Sequence, residues 1–190
     1  MIRENKAFLE YIIKLKGQDS THTIIEQEAS KGEKIITQRT VVFHVSIVKE
    51  GLAKCYLTED TGNDFIQEFF GAGEVFGELE IFTGELSFCT IETLTPMTYY
   101  KIPKKAFLAL IQNDAKFNSL VLKLMASKIR YTALRHSYNQ SHSLEANLKR
   151  VLNEFPDLLH EIPKNDIANY LGITTRSLNR VLKARNEFLS

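Results

Sequence analysis

The chain changes character once, at Pro103, and that change limits the folds open to it. Before it, apolar and β-branched residues gather in short runs at 22–26, 34–36, 41–49, 53–58, 65–70, 90–93 and 97–102. Turn residues separate the runs: Lys31-Gly32-Glu33, Glu50-Gly51, Asp60-Thr61-Gly62-Asn63, Gly71-Ala72-Gly73 and Thr95-Pro96. Many short strands between glycine turns predict a sandwich or barrel. The run 41–48 is apolar enough to predict burial on both faces. Ahead of the strands, 3–16 predicts an amphipathic helix with Phe8, Ile12 and Leu15 on one side and Gly17 ending it. After Pro103 the apolar period becomes helical, so the fold class is α+β.

The helical half opens with a short helix at 104–113. Asp114 then caps a long helix running to Tyr138. Its apolar residues are too many for one stripe, so two of its faces are expected to be covered. One cover is the chain's own strand domain. The economical second is another copy of the chain, since soluble oligomers are mostly two-fold dimers. Phe117, Val121, Leu124, Tyr131 and Tyr138 are the expected dimer seam. Polar residues at 137–143 read as a hinge. A further helix is expected at 144–155, followed by a turn at Pro156 and Asp157. These features divide the chain into 1–113, 114–138 and 139–190.

Residues 162–185, IPKNDIANYLGITTRSLNRVLKAR, read as two short helices and a tight turn. Pro163 suits a helix start, and Ile167, Ala168 and Leu171 share a face. Gly172 stands where a chain leaving a helix needs a left-handed residue. Thr174 is a fitting N-cap for the second helix, whose buried side carries Leu178, Val181 and Leu182. Its outward side carries Thr175, Arg176, Ser177, Asn179, Arg180, Lys183 and Arg185. Four cations and no acid lie between Ile173 and Arg185. Small hydroxyls and arginines on such a helix are what a DNA major groove calls for. The pattern predicts a helix-turn-helix whose partner is double-stranded DNA.

Composition supports this division of labour. The net charge is only +1, but it is unevenly spread. Between Cys55 and Tyr100 there are nine acids and no Lys, Arg or His, while 115–144 holds five Lys or Arg and no acid. An acidic domain that avoids nucleic acid and a basic part that could meet it are implied. The two cysteines, Cys55 and Cys89, lie far apart without zinc-site spacing, and fit buried strand residues in a reducing cytoplasm. No apolar run reaches the ~20 residues of a membrane span, so no membrane partner is expected.

Helix, strand domain, long helix, hinge, helix and helix-turn-helix, in that order, resemble the Crp/Fnr family of bacterial transcription regulators. Two motifs carry the resemblance. Phe70-Gly71-Ala72-Gly73-Glu74-Val75-Phe76-Gly77-Glu78-Leu79 is similar to the family's glycine-punctuated G-x-x-F-G-E segment, and 162–182 is similar to its DNA-reading unit. The resemblance implies an N-terminal double-stranded β-helix (β-roll), a dimerisation helix and a C-terminal winged helix-turn-helix. It implies a homodimer on a near-palindromic operator, with RNA polymerase as a further partner. Thr175, Arg176 and Arg180 match the base-reading positions, with Arg180 on guanine; Thr174 and Ser177 fit phosphate contacts.

Two departures matter. Cyclic-nucleotide-binding members carry an arginine and a small hydroxyl residue after G-E-L; here Ser87 and Phe88 stand in those places, with Glu80 and Glu85 added. Burying a phosphate there would leave its charge beside carboxylates. Gly77, Glu78, Leu79, Ser87 and Phe88 are therefore expected to line a degenerate effector pocket, with Glu78 left to cap a turn. Any effector is an unknown small molecule, and no cofactor is expected. The sequence also ends at Ser190 without the family's β-wing, so a missing or truncated wing is expected.

Two other readings compete. A β-roll could bind a small molecule while the helical part mediates protein contacts, but the acid-free basic helix argues against that. A metal-dependent cupin-like enzyme would need converging His and carboxylate ligands. The strand region offers only His22 and His44, so neither catalytic nor metal-binding residues are expected.

Overall fold

The computed structural model describes residues 2–60, 62–155 and 158–187. The strands are β1 (Ile2–Arg3), β2 (Ile25–Ala29), β3 (Lys34–Ile36), β4 (His44–Glu50), β5 (Ala53–Thr58), β6 (Asp64–Phe70), β7 (Val75–Phe76), β8 (Thr90–Thr93) and β9 (Met97–Pro103). The helices are α1 (Lys6–Gln18), α2 (Glu78–Thr83), α3 (Lys104–Asn113), α4 (Ala115–Ser141), α5 (Leu144–Glu154), α6 (Leu158–Glu161), α7 (Lys164–Leu171) and α8 (Thr175–Glu187). The class is α+β. One sheet runs β1-β6-β5-β8-β3 and the other β2-β9-β4-β7. Val48, Phe76, Met97 and Tyr99 from the second sheet interleave with Cys55, Phe70 and Ile91 from the first, which closes the β-roll.

Most strand runs fall where alternation places them, but three expectations need correction. The N-terminal helix begins at Lys6, not Arg3, because Asn5 caps it by accepting from Phe8 N–H at 3.1 Å. Arg3 instead extends along β6, paired with Phe70, and its buried guanidinium lies 3.4 Å from Glu74 and 3.8 Å from Glu68. Gly17 lies inside that helix. The run 41–48 is not buried throughout: Val45 to Val48 are, but Val41 is 58% exposed and Phe43 65%. Pairing with β9 starts only at His44, so the residues before it have no second sheet to enter.

Helix α4 gives the architecture its spine. Asp114 caps it, accepting from the N–H groups of Lys116 at 3.0 Å and Phe117 at 2.9 Å, and from the Tyr11 hydroxyl at 2.6 Å. The Tyr11 hydroxyl first, then the Phe117 N–H, hold the Asp114 carboxyl below its ordinary value of 3.8. A depressed carboxyl contributes stability that is complete above the unfolded value and is lost as pH falls through the folded one. Asp114→Ala therefore costs about 1–2 kcal/mol at neutral pH. The urea midpoints of the variant and the parent should converge as pH is lowered below the ordinary carboxylate range; a gap that keeps its full size in acid would show that the carboxylate is not the cap.

The inward face of α4 follows a strict alternation of four and three: Phe117, Val121, Leu124, Lys128, Tyr131, Arg135 and Tyr138, all buried or half-buried. Phe117 meets Phe8 and Phe107 with ring centres 5.8 and 5.4 Å apart, while Val121 and Leu124 join the same core as Ile12, Ile47 and Ile102. This corrects the expected dimer seam. Phe117, Val121 and Leu124 are buried in the chain's own core, and Tyr131 and Tyr138 also turn inward. The outward face carries a second seam at the same spacing, Leu122, Ala126, Ile129 and Ala133, all exposed. Leu122 is 64% exposed and Ile129 69%.

The expected hinge at 137–143 is also displaced. Helix α4 continues to Ser141, whose hydroxyl donates back to Ser137 O at 2.7 Å, and the Tyr138 and His142 rings stack 3.8 Å apart. The break comes at His142 and Ser143, and Ser143 caps α5 through Ala146 N–H. Pro156 and Asp157, expected to turn the chain, and the side chain of Arg185 lie outside the described residues, as does everything after Glu187. Leu148, Val151, Leu152, Leu158, Ile162, Ile167 and Leu178 share one core with Tyr56, Ile66, Phe69 and Leu94 of the β-roll. The last five helices, α4 to α8, thus bring the basic helix against the strand domain.

Candidate functional site

Two sites are assembled on this frame. The first is a cavity of about 240 Å³ between the β-roll and α4. All five residues expected of an effector pocket line it: Gly77, Glu78, Leu79, Ser87 and Phe88. Gly77 adopts φ +88, and a Cβ there would meet His44 O at 2.6 Å, so the motif's glycine is set by the crowded turn into α2. Ser87 spends its hydroxyl on Cys89 O at 2.6 Å. Phe88 is 51% exposed and Leu79 37%, which leaves the opening apolar.

Glu78 does more than cap a turn. It is 1% exposed and forms an ion pair with Lys128 Nζ at 2.7 Å; the same ammonium donates to Val75 O at 2.6 Å. Burial pulls the Lys128 pKa down, but Glu78, Glu74 and Glu68 outweigh it and lift the ammonium above its ordinary range. Burial pushes the nearby Glu68 carboxyl up. The cations of this acidic cavity come from α4, since Arg135 lines it too. Sequence reasoning missed Lys128 and Arg135 because it searched the strand segment alone. Their spacing from Leu124 was the available signal: four and eleven residues on, both fall on the face that carries Phe117 and Val121.

Arg135 reaches beyond the cavity. Its guanidinium donates to Gln67 O and lies 4.7 Å from the Tyr170 ring centre. Tyr170 on α7 shares a hydrogen bond of 2.7 Å with the Tyr131 hydroxyl of α4, and its ring packs 5.6 Å from Phe69. Asp166, also on α7, holds Lys54 of β5 at 3.2 Å. Helix α7 is thus clasped to the β-roll by the Asp166–Lys54 ion pair and to α4 by the tyrosine pair and Arg135.

The second site is the exposed face of α8. Gly172 turns the chain at φ +68, and Thr174 caps α8 by accepting from Ser177 N–H at 3.2 Å. Leu178 is fully buried and holds α8 on α7. Arg176, Asn179, Arg180 and Lys183 are exposed at the spacing of a single helical stripe. Thr174, Thr175 and Ser177 make hydrogen bonds within the chain. Thr174 and Ser177 share their hydroxyls at 3.1 Å, and Thr175 donates to Asn165 Oδ1 at 3.3 Å. Thr174 and Thr175 also border a cleft with Glu59 and Asn63 of the turn between β5 and β6 and with Asp64 at the start of β6. Among the described residues no group of three or more His, Cys, Asp or Glu could hold a metal ion, and no helix is long and apolar enough to cross a membrane.

Comparison with known proteins agrees with this order of elements. Residues 26–114 match the cyclic nucleotide-binding domain family. No curated protein sequence matches the chain. Among solved structures, FixK2 from Bradyrhizobium japonicum is similar at 19% identity and TM-score 0.74, over 86% of this chain and 85% of that one. The c-di-GMP-responsive global regulator CLP from Xanthomonas campestris is similar at 15% identity and TM-score 0.75, over 96% and 92%. A transcriptional regulator of the Crp/Fnr family from Eubacterium rectale is similar at 20% identity and TM-score 0.71, over 95% and 82%. The chain shares the fold of these solved structures, and its residues 26–114 are similar to the cyclic nucleotide-binding domain. Its similarity to the solved Crp/Fnr structures is one of fold.

Proposed function

We propose that this Crp/Fnr-fold chain is a homodimeric, sequence-specific DNA-binding transcription regulator, acting in the cytoplasm and not controlled by cyclic AMP. The observation that carries the reading is the stripe Arg176, Asn179, Arg180 and Lys183, exposed on the second helix of a capped helix-turn-helix and free of acids. Arg180 pairs with guanine, Asn179 and Arg176 contact neighbouring bases, and Lys183 meets phosphate. The outward seam Leu122, Ala126, Ile129 and Ala133 pairs two copies. Two recognition helices then address half-sites about 34 Å apart on a near-palindromic operator. Against cyclic AMP stand Ser87 and Phe88 in the anchoring positions, with Glu78 committed to Lys128.

Selection of fragmented genomic DNA on the purified chain tests this reading. A two-fold-symmetric sequence should be enriched, and Arg176→Ala/Arg180→Ala should abolish the enrichment. Arg180→Ala alone should cost roughly 1–3 kcal/mol on the selected site and relax specificity at one base position per half-site. Equal loss on every sequence would reassign Arg180 to a phosphate, and enrichment that survives the double variant would remove α8 from the interface.

A further inference from the structure

The exposed seam of α4 runs on past Ala133. His136 and Gln140 continue the alternation of four and three that begins at Leu122, and both are exposed. In heptad terms Leu122, Ile129 and His136 share one core position, and Ala126, Ala133 and Gln140 share the other. Lys116, Lys123 and Arg130 line one flank of this seam, and α4 as a whole carries five Lys or Arg and no acid. Two antiparallel copies would bring that flank against itself, cation to cation. Parallel copies bring it against the opposite flank, Asn118, Met125, Thr132 and Asn139, which carries no charge. Charge thus selects parallel, two-fold pairing, in which each core residue meets its own counterpart. The two His136 side chains then face each other across the axis, at the end of the seam that leads to the helix-turn-helix.

The surroundings of His136 favour its neutral form. Its one polar contact among the described residues is with Gln140, whose amide nitrogen lies 3.0 Å from His136 Nε2. An amide nitrogen only donates, so Nε2 accepts and the imidazole carries its proton on Nδ1. No counter-ion for an imidazolium is at hand. Glu68, Glu74 and Glu78 lie on the inward side of α4, where Arg3 and Lys128 meet them. On α7, Asp166 is held by Lys54. On α5, Arg150 turns to the Tyr138 ring, while Glu145 and Lys149 form no hydrogen bond or ion pair with the described residues of α4. Helix α3 brings only Lys104 and Lys105, near the other end of α4. We propose that His136 makes the pairing of two copies sensitive to pH. Protonation sets two imidazolium groups against each other across the axis, and opens the end of the seam that holds the two helix-turn-helix units at their spacing. The inference rests on the proposed pairing through α4 and deepens it by naming a condition that undoes it. An imidazole changes charge between about pH 5 and 8. Separation of the copies is linked to proton uptake, so acid favours the single chain.

Sedimentation equilibrium of the full chain between about pH 8 and about pH 5.5 tests the proposal. The dimer dissociation constant should rise by about tenfold or more as the pH falls, the effect of one like-charge contact near a protein surface. His136→Leu, which repeats the residue the seam already uses at Leu122, should keep the copies paired across the whole range. His136→Lys should separate them at both ends of it, since its ammonium stays charged. A dissociation constant that does not move with pH, in a dimer that Leu122→Asp/Ile129→Asp still breaks, overturns the proposal and leaves the seam standing. A pH dependence that persists in His136→Leu overturns it as well, and assigns the titration to another group. A chain that is monomeric at about pH 8, or a dimer that survives both aspartates, overturns the seam itself and the proposal with it.

Discussion

Lys128→Met destabilises the fold by about 3–5 kcal/mol, because it removes one partner of a buried ion pair and leaves the other charged. Methionine fills the space of the lysine stem, so packing changes little and the loss is electrostatic. Glu78, 1% exposed, would keep its carboxylate without a cation, and Glu68 and Glu74 would lose a favourable neighbour. The Val75 carbonyl would lose its donor as well. Urea unfolding of the variant at neutral pH measures the effect. The double variant Lys128→Met/Glu78→Gln should regain much of the lost stability, since it leaves no unpaired ion at that position. A single variant within about 1 kcal/mol of the parent would mean that water reaches the pair and screens it.

Phe117→Ala separates the two seams of α4. Phe117 is fully buried between Phe8 and Phe107, so truncation should cost about 3–5 kcal/mol of folding stability, independent of protein concentration. Leu122→Asp/Ile129→Asp should do the reverse. These side chains are exposed in the single chain, so the change should remove only the concentration-dependent share of stability that dimerisation contributes, while halving the molar mass seen by sedimentation. DNA affinity should then fall steeply, because two half-sites are no longer held together. A dimer that survives both aspartates would move the interface away from this face.

Much of the fold was legible in the sequence. The runs 34–36, 53–58, 90–93 and 104–113 are found as β3, β5, β8 and α3 at the same bounds, because alternation or helical period is clean there and turn residues mark the ends. Strand β7 and helix α2 went unread. They lie in and just after the glycine segment, where two-residue pairing and a six-residue helix are too short for a period to register. The cap at Asp114, the turn at Gly172 and the cap at Thr174 were readable because each is local chemistry. The assignment of the α4 seams was not local. Two heptad faces of similar apolarity run along one helix, and spacing alone cannot say which meets the β-roll. The cavity suffered from the same limit, since its cations lie on α4, some fifty residues from the acids they meet.

The core that joins α5, α6, α7 and α8 to the β-roll has a consequence for how such a chain can be recombined. A reading head grafted from another protein would have to bring its own cover for Tyr56, Ile66, Phe69 and Leu94, or leave an apolar surface open to water. On the proposed reading of α8 as the DNA-contacting helix, operator specificity would be easiest to exchange one side chain at a time on its exposed stripe, since Arg176, Asn179, Arg180 and Lys183 lie outside that apolar core. A change of address on that stripe would leave the joints of the molecule closed.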